Sequence, residues 1–335
     1  MDEQMNILRR IMADNRRMVE LTAAYLNNEP RLIDGDTVND LVRDCGVDKK
    51  QAIVALLSAA FGLDQDKRPG DLEFERIYLS RAVSILDPAV YMNDPYYKNV
   101  VLPPVRAGKW ELLTECFTPY EGFIYDDLLI LPDGTEIPRL GFFTSRFDFT
   151  AVLESGREWM MITPNEINTM APHIAAARGK VATFGLGLGY YAYMVSRKPE
   201  VCSVTIVEKD PSVISLFKEY ILPRFETKDK VNVICADAFS YARSILPRAG
   251  FDYLFADMWH DVSDGLDMYI RLKKFERTAP STVFSYWIER SILSKLRETV
   301  FDQLNDRPGM TFEKLAPMLT DRYLRALARD MRIRD

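Results

Sequence analysis

The stretch from Lys180 to Tyr191, KVATFGLGLGYY, constrains this chain more than any other. A short apolar run, Val181 to Phe184, passes without a polar spacer into glycines at alternate positions, Gly185, Gly187 and Gly189, and then into the helix-compatible YAYMVS. That order reads as strand, tight turn, helix. In an open α/β sheet such a turn lies at the carboxyl end of the first strand, where missing side chains let a ligand approach the backbone and the next helix offers free N–H groups. A nucleotide-like ligand is the expectation.

The spacing narrows the choice. The dinucleotide fingerprint GxGxxG needs its third small residue five places after the first glycine, and that place holds Tyr190. The pattern is GxGxG instead. Three later apolar runs follow it, each with a polar residue at its carboxyl end: Val204 to Val207 before Glu208, Val231 to Ala236 before Asp237, and Phe251 to Ala256 before Asp257. Glu208 is placed where a carboxylate accepts hydrogen bonds from ribose hydroxyls, and Asp237 within reach of an adenine amino group.

FGLGLGYY, VTIVEKD, VICADAF and FDYLFADMW resemble motifs of the class I S-adenosylmethionine-dependent methyltransferases, in particular the spermidine-synthase-like branch, over roughly Phe149 to Trp287. The resemblance implies an α/β, Rossmann-like class I methyltransferase sheet with helices on both faces. It also implies that Gly185, Gly187 and Gly189 line the methionine part of S-adenosylmethionine, that Glu208 holds the ribose, that Asp237 and the Ala238 backbone hold the adenine, and that Asp257 faces the reacting centre. Many methyltransferases carry an acid two places before the first glycine; here that place is Thr183.

The rest of the chain reads as three parts. Residues 1–108 form a helical N-terminal domain, 109–163 a small antiparallel β-region, and 164–335 the S-adenosylmethionine-binding domain with a helical C-terminus. Within the first part, Ile7, Ile11, Met18, Leu21 and Tyr25 recur near helical spacing. Asp36 to Gly62 resembles a helix-turn-helix, with a turn at Gly46 and a second helix opened by Asp48. After Lys49, Lys50 and Gln51 that second helix is almost wholly apolar, so core or dimer-interface packing is preferred to DNA contact. Asp87 to Gly108 reads as an irregular connection broken by Pro88, Pro95, Pro103 and Pro104, with Tyr91, Tyr96 and Tyr97 as packing residues. Phe123 to Leu131 leads into a Pro132, Asp133, Gly134 turn, and Ser155 and Gly156 join two strands as a hairpin. Thr163 to Glu166 reads as a capping box with proline at the first helical position, and Pro172 is expected to kink the helix it opens. After Asp306 the chain reads as helical, ending in a tail bearing Arg325, Arg329, Arg332 and Arg334.

Composition limits the partners. A net charge of −6 argues against a broad electrostatic grip on nucleic acid. With only two histidines, His173 and His260, mechanisms that need several are excluded. The four cysteines are scattered with no CxxC pair, suggesting neither a zinc site nor a disulfide framework. There is no membrane-length apolar run and the first residues are charged throughout, so a cytoplasmic protein is expected. A small-molecule acceptor is the expected partner, and the apolar helix from Ala52 to Phe61 suggests a homodimer through the N-terminal domain.

Methyl transfer from a sulfonium asks the protein to bind the donor, align the acceptor and remove a proton. Asp257 and His260 are the candidate bases, with Asp261 placed to orient His260. Asp257 equally suits a turn cap or a cofactor contact, and His260 beside a tryptophan equally suits local packing. Tyr190 and Trp259 are candidates for the substrate pocket; of Tyr190 and Tyr191, one is expected to line the pocket and the other to enter the core. Glu166 is explained by its capping role. The readings that follow are a methyltransferase of a small or medium acceptor, an aminopropyltransferase using decarboxylated S-adenosylmethionine, and a non-catalytic S-adenosylmethionine-binding protein. An NAD-linked oxidoreductase is disfavoured by Tyr190. The turn GLGLGY and the later DMWHD lack the acids with which spermidine synthases bind the amine, which ranks aminopropyl transfer second, with Asp261 and Asp264 as the acids that could compensate.

Overall fold

The computed structural model describes residues 2–64 and 66–305. The helical reading after Asp306 and the arginine-bearing tail lie outside the described residues. The chain divides into two compact units, Met1–Ala171 and Pro172–Asp335.

The first unit opens with α1 (Asp2–Asn28), α2 (Gly35–Cys45) and α3 (Lys49–Ala60). On α1, Asn15, Met18, Thr22 and Tyr25 fall on one helical stripe and all are buried. Ile7, expected on the inward face, is 54% exposed. Buried Asn15 is bonded at both ends of its amide: its Nδ2 donates to Gly134 O at 3.0 Å and its Oδ1 accepts from Tyr78 Oη at 2.8 Å and Glu136 N at 2.9 Å. The helix pair has the expected turn. Gly46 sits at φ +68 as the left-handed cap of α2, and Asp48 forms a reciprocal capping box with Gln51 at the start of α3. Ala52, Ile53, Val54 and Leu57 of α3 enter a core shared with Met18, Tyr25, Val38, Val83, Ile137, Leu140 and Phe142. The apolar face invoked for a dimer therefore packs inside the chain's own core.

Helices α4 (Pro69–Phe74) and α5 (Ser80–Ala82) flank a π-helical turn, Glu75–Leu79, and lead directly into β1 (Val83–Leu86). That strand lies within a stretch whose pattern reads as helical. It pairs in parallel with β5. The expected irregular connection holds two short helices, α6 (Pro88–Met92) and α7 (Pro95–Asn99), each opened by an aspartate cap and a first-turn proline. The strands then run β2 (Val105–Ala107), β3 (Trp110–Phe117), β4 (Gly122–Ile130), β5 (Glu136–Phe143), β6 (Phe147–Glu154) and β7 (Arg157–Met161). They form two sheets, ordered β1-β5-β4 and β2-β3-β6-β7. Ser155 (φ +52) and Gly156 (φ +77) make the two-residue hairpin between β6 and β7. Tyr91, Phe123, Tyr125, Phe143, Phe147 and Phe149 form an aromatic core in this unit, and Tyr96 is 1% exposed. The next helix, α8 (Pro164–Ala176), starts on its proline as expected and runs through Pro172.

The second unit carries β8 (Gly179–Phe184), α9 (Tyr190–Ser196), β9 (Val201–Glu208), α10 (Pro211–Leu216), β10 (Val231–Cys235), α11 (Ala238–Ser244), α12 (Leu246–Ala249), β11 (Tyr253–Ala256), α13 (Val262–Lys273), β12 (Val283–Tyr286) and α14 (Glu289–Asn305). The strands make one sheet ordered β10-β9-β8-β11-β12, with every pair parallel. In sequence order this is third, second, first, fourth, fifth, the Rossmann-like arrangement, with its switch point between β8 and β11. Phe255 pairs with Thr183 and Ala256 with Phe184, so Phe255 and Phe184 point to opposite faces. Tyr191 of α9 stacks on Phe255 at 4.3 Å and His173 of α8 packs tilted against the same ring at 4.9 Å, while Tyr241 of α11 meets Phe184 edge-on at 6.1 Å. Helices thus cover both faces, as the fold class requires. Lys198 closes the end of α8, its Nζ donating to the carbonyls of Ile174, Ala175 and Ala177 at 2.7, 2.8 and 2.7 Å. A lysine at a helix C-terminus satisfies orphan carbonyls and opposes the helix dipole. No helix among the described residues is long and apolar enough to cross a membrane.

Candidate functional site at the carboxyl edge of the parallel sheet

Parallel pairing delivers the ends of all five strands to one edge, and backbone hydrogen bonds carry the ladder past them. Gly185 N donates to Val207 O at 3.0 Å, Asp257 N to Phe184 O at 2.8 Å, Ala236 N to Glu208 O at 2.9 Å, and Trp287 N to Ala256 O at 2.9 Å. Gly185, Glu208, Asp237 and Asp257, read from the sequence as strand-end residues, are thereby brought to that edge, with Gly185 and Asp257 on either side of the switch point.

All three glycines of the turn have positive φ, +95 at Gly185, +51 at Gly187 and +75 at Gly189. Handedness alone favours glycine at all three. Packing adds a second reason at two of them. A Cβ on Gly185 would sit 1.7 Å from Asp257 O, and one on Gly189 would sit 2.5 Å from Phe217 Cε2. Between the glycines, Leu186 and Leu188 are 7% and 1% exposed. The turn therefore presents backbone and no charged side chain.

Glu208 ends β9 and is 9% exposed. Its Oε2 accepts from Leu186 N at 3.3 Å and its Oε1 from Asp210 N at 2.8 Å. Two backbone donors leave an ionised carboxylate with acceptor capacity to spare. Asp237 caps α11, accepting from Ser240 N at 2.8 Å, and that N–H holds its carboxyl below the usual carboxylate range. Arg271 lies near enough to add to the same lowering and stacks 3.9 Å over the Phe239 ring. Ala238 begins α11 and is half-buried.

Asp257 is half-buried as a residue, yet its carboxyl is enclosed. Desolvation pushes its pKa up from 3.8 to about 7. Such a group stands on the edge between acid and base at neutral pH. Trp259, expected in the substrate pocket, is 5% exposed and packs against Gly265, where a Cβ would come within 2.9 Å of its Cδ1. Its Nε1 is buried without a hydrogen-bond partner. Tyr190 and Tyr191 are 3% and 4% exposed, so both are enclosed.

His260 is exposed, and its carboxylate partner corrects the sequence reading. Asp261 caps α13, accepting from Ser263 N at 2.6 Å and Ser263 Oγ at 2.5 Å; the Ser263 hydroxyl lowers its pKa most, and His260 lies near enough to add to that lowering. The group beside His260 Nδ1, at 3.3 Å, is Oδ2 of Asp264. The chain enters a helix here, so the residue four places on, and not the immediate neighbour, folds back over the ring. The spacing of Asp264 from His260 across an aspartate cap was the available signal for this pairing. Leu186 as the donor to Glu208 has no such signal, since no side chain advertises a backbone N–H. A further feature invisible in sequence is Ile288, a β-branched residue at φ +46 just beyond β12, an uncommon conformation found at strained sites. Thr183 is 3% exposed and donates weakly to Gly185 O at 3.3 Å.

No family model matches this chain, and no curated protein matches it. Among solved structures it is similar to spermidine synthase from Thermotoga maritima, at 16% identity and a TM-score of 0.31, over 46% of this chain and 59% of that one. It is similar to a spermidine synthase in complex with the transition state analogue AdoDATO, at 16% identity and 0.30, over 46% and 58%. It is also similar to precorrin 8W decarboxylase from Methanobacterium thermoautotrophicum, at 18% identity and 0.30, over 42% and 72%. The matched part spans less than two thirds of either spermidine synthase. Likeness this slight carries no information about activity.

Proposed function

We propose that this chain is an S-adenosylmethionine-dependent methyltransferase acting on a small or medium acceptor. The observation that carries the reading is Glu208, a buried carboxylate anchored on the first amide after Gly185 and on Asp210 N. It couples the glycine turn to an acceptor of hydroxyl hydrogen bonds, the pairing a ribose beside a switch point requires.

The donor set fits the adenosine end of the cofactor. Glu208 would hold the ribose, with Asp237 and the Ala238 backbone at the adenine and Gly185, Gly187 and Gly189 along the methionine. At the methionine end Thr183, already turned to Gly185 O, supplies no carboxylate for an ammonium. S-adenosylmethionine, when bound, supplies a methyl group made electrophilic by its sulfonium. The chain's own tasks are to orient the acceptor, exclude water and take the acceptor's proton, and two bases lie at the strand ends for the last: Asp257, desolvated to a pKa of about 7, and the exposed His260. Tyr190 and Trp259, both enclosed, back the pocket and limit water.

Aminopropyl transfer to a polyamine stands second. It needs free carboxylates for a cation, whereas the turn residues Leu186 and Leu188 are apolar and buried, and Asp261 and Asp264 already serve Ser263 and His260. The test is calorimetric titration of the full chain with S-adenosylmethionine, S-adenosylhomocysteine, decarboxylated S-adenosylmethionine and NAD. Micromolar binding of the first two is expected, weakened by about 30-fold or more in Glu208→Ala, the loss of hydrogen bonds to a charged acceptor being worth roughly 2 kcal/mol. Preference for the decarboxylated compound would put aminopropyl transfer first. Binding of none of the four would overturn the reading.

A further inference from the structure

We infer that Asp264 is a positioning residue that fixes His260 as a proton acceptor at the carboxyl edge of the sheet. The inference rests on the methyltransferase reading for its purpose, though not for its geometry. Asp264 Oδ1 accepts from His260 N and from Asp261 N, both at 3.1 Å. Its Oδ2 accepts from His260 N at 3.3 Å and lies 3.3 Å from His260 Nδ1. A capping box needs only the contact to Asp261 N. The contacts to His260 are additional, and they join backbone and ring of one residue to one carboxylate.

That carboxylate can only accept, so the ring nitrogen facing it must carry the proton. Neutral His260 then holds its hydrogen on Nδ1 and leaves the Nε2 lone pair free. The side chain is 68% exposed, three residues beyond Asp257, where an acceptor approaching the strand ends would meet it. In the reaction the acceptor's proton passes to Nε2 while the acceptor's electron pair forms the new bond to the methyl carbon and the carbon–sulfur bond of the donor breaks, its pair leaving on sulfur as S-adenosylhomocysteine departs. Asp264 faces the imidazolium so formed and stabilises it, as the carboxylate of a catalytic triad does for its histidine. The proton then leaves to solvent.

The chain's two histidines make the test direct. Full-length protein labelled with ¹⁵N-histidine, its signals assigned with His173→Gln, reports the tautomer of each ring by long-range ¹⁵N–¹H correlation above the histidine titration. His260 is expected mainly as the Nδ1–H form, reverting in Asp264→Ala to the Nε2–H form that an unconstrained histidine side chain favours and partly restored in Asp264→Glu. A wild-type His260 in the Nε2–H form would overturn the inference. A second arm follows transfer of labelled methyl from S-adenosylmethionine into a small-molecule extract. His260→Ala, Asp264→Ala and the double variant should each lose the same roughly 100-fold, whereas additive losses would overturn the pairing. A wild-type chain that neither binds nor consumes the donor would sink the methyltransferase reading, and the tautomer would still decide the role of Asp264.

Discussion

Asp257→Asn should stabilise this protein, and by an amount that grows with pH. The carboxyl titrates near 7 in the folded chain because burial desolvates it, against an ordinary value of 3.8. A folded pKa above the unfolded one means the native state binds the proton more tightly. Stability from this site is therefore fully present below about pH 4, declines between 4 and 7, and is flat above. A tenfold difference in proton affinity is worth about 1.4 kcal/mol, so the rise from 3.8 to about 7 makes the full effect on the order of 4 kcal/mol. Water admitted on ionisation reduces this, so a change of at least about 2 kcal/mol is the expectation. Asparagine keeps the shape and cannot ionise. Urea unfolding of wild type and variant at intervals from pH 4 to 8 reads the site and any group coupled to it, because titrating groups that do not interact with Asp257 cancel in the difference. The variant should gain steadily on the wild type up to pH 7 and then hold its lead. A difference independent of pH would refute the claim that this carboxyl is desolvated, and with it the case for Asp257 as a base near neutrality.

Other substitutions test the surrounding construction. Gly185→Ala should cost more than about 3 kcal/mol, since it adds a clash with Asp257 O to the strain of a left-handed residue. Gly46→Ala, at φ +68 with open space around it, should cost only about 1 kcal/mol, and equal losses in urea unfolding would refute the close approach of β8 and β11. Lys198→Met should cost about 2–3 kcal/mol by leaving three carbonyls without their charged donor, with thermal unfolding as the readout and Lys198→Arg recovering part of the loss. Asp48→Ala should cost about 1 kcal/mol in the same thermal assay and Asp48→Asn much less, because only the alanine removes the cap of α3.

Local chemistry made much of the second unit legible. The strands β8 to β12 hold short apolar runs, those of β9, β10 and β11 running out to Glu208, Asp237 and Asp257, and α10 follows an Asp210 cap and a Pro211 start that any reader of helix signals would mark. Gly46 and Asp48 likewise announce α2 and α3 through caps whose partners lie within four residues. β1 was not legible, because Val83 to Leu86 becomes a strand only by pairing with Leu140 to Phe143, more than fifty residues on. The inward stripe of α1 was half legible: Met18 and Tyr25 were expected, while Asn15 is buried only because Tyr78, Gly134 and Glu136 supply its partners.

The same division runs through the site. By itself the sequence determined that the chain would present glycines, Glu208, Asp237 and Asp257 at strand ends, since pattern and spacing are local properties. Only the tertiary structure decided that Gly185 is required by Asp257 O, that Asp264 rather than Asp261 faces His260 Nδ1, and that burial raises the Asp257 pKa to about 7. Each of those depends on atoms brought together through space, and a carboxylate's charge, a ring's tautomer or a missing Cβ takes its meaning from the neighbours that folding supplies.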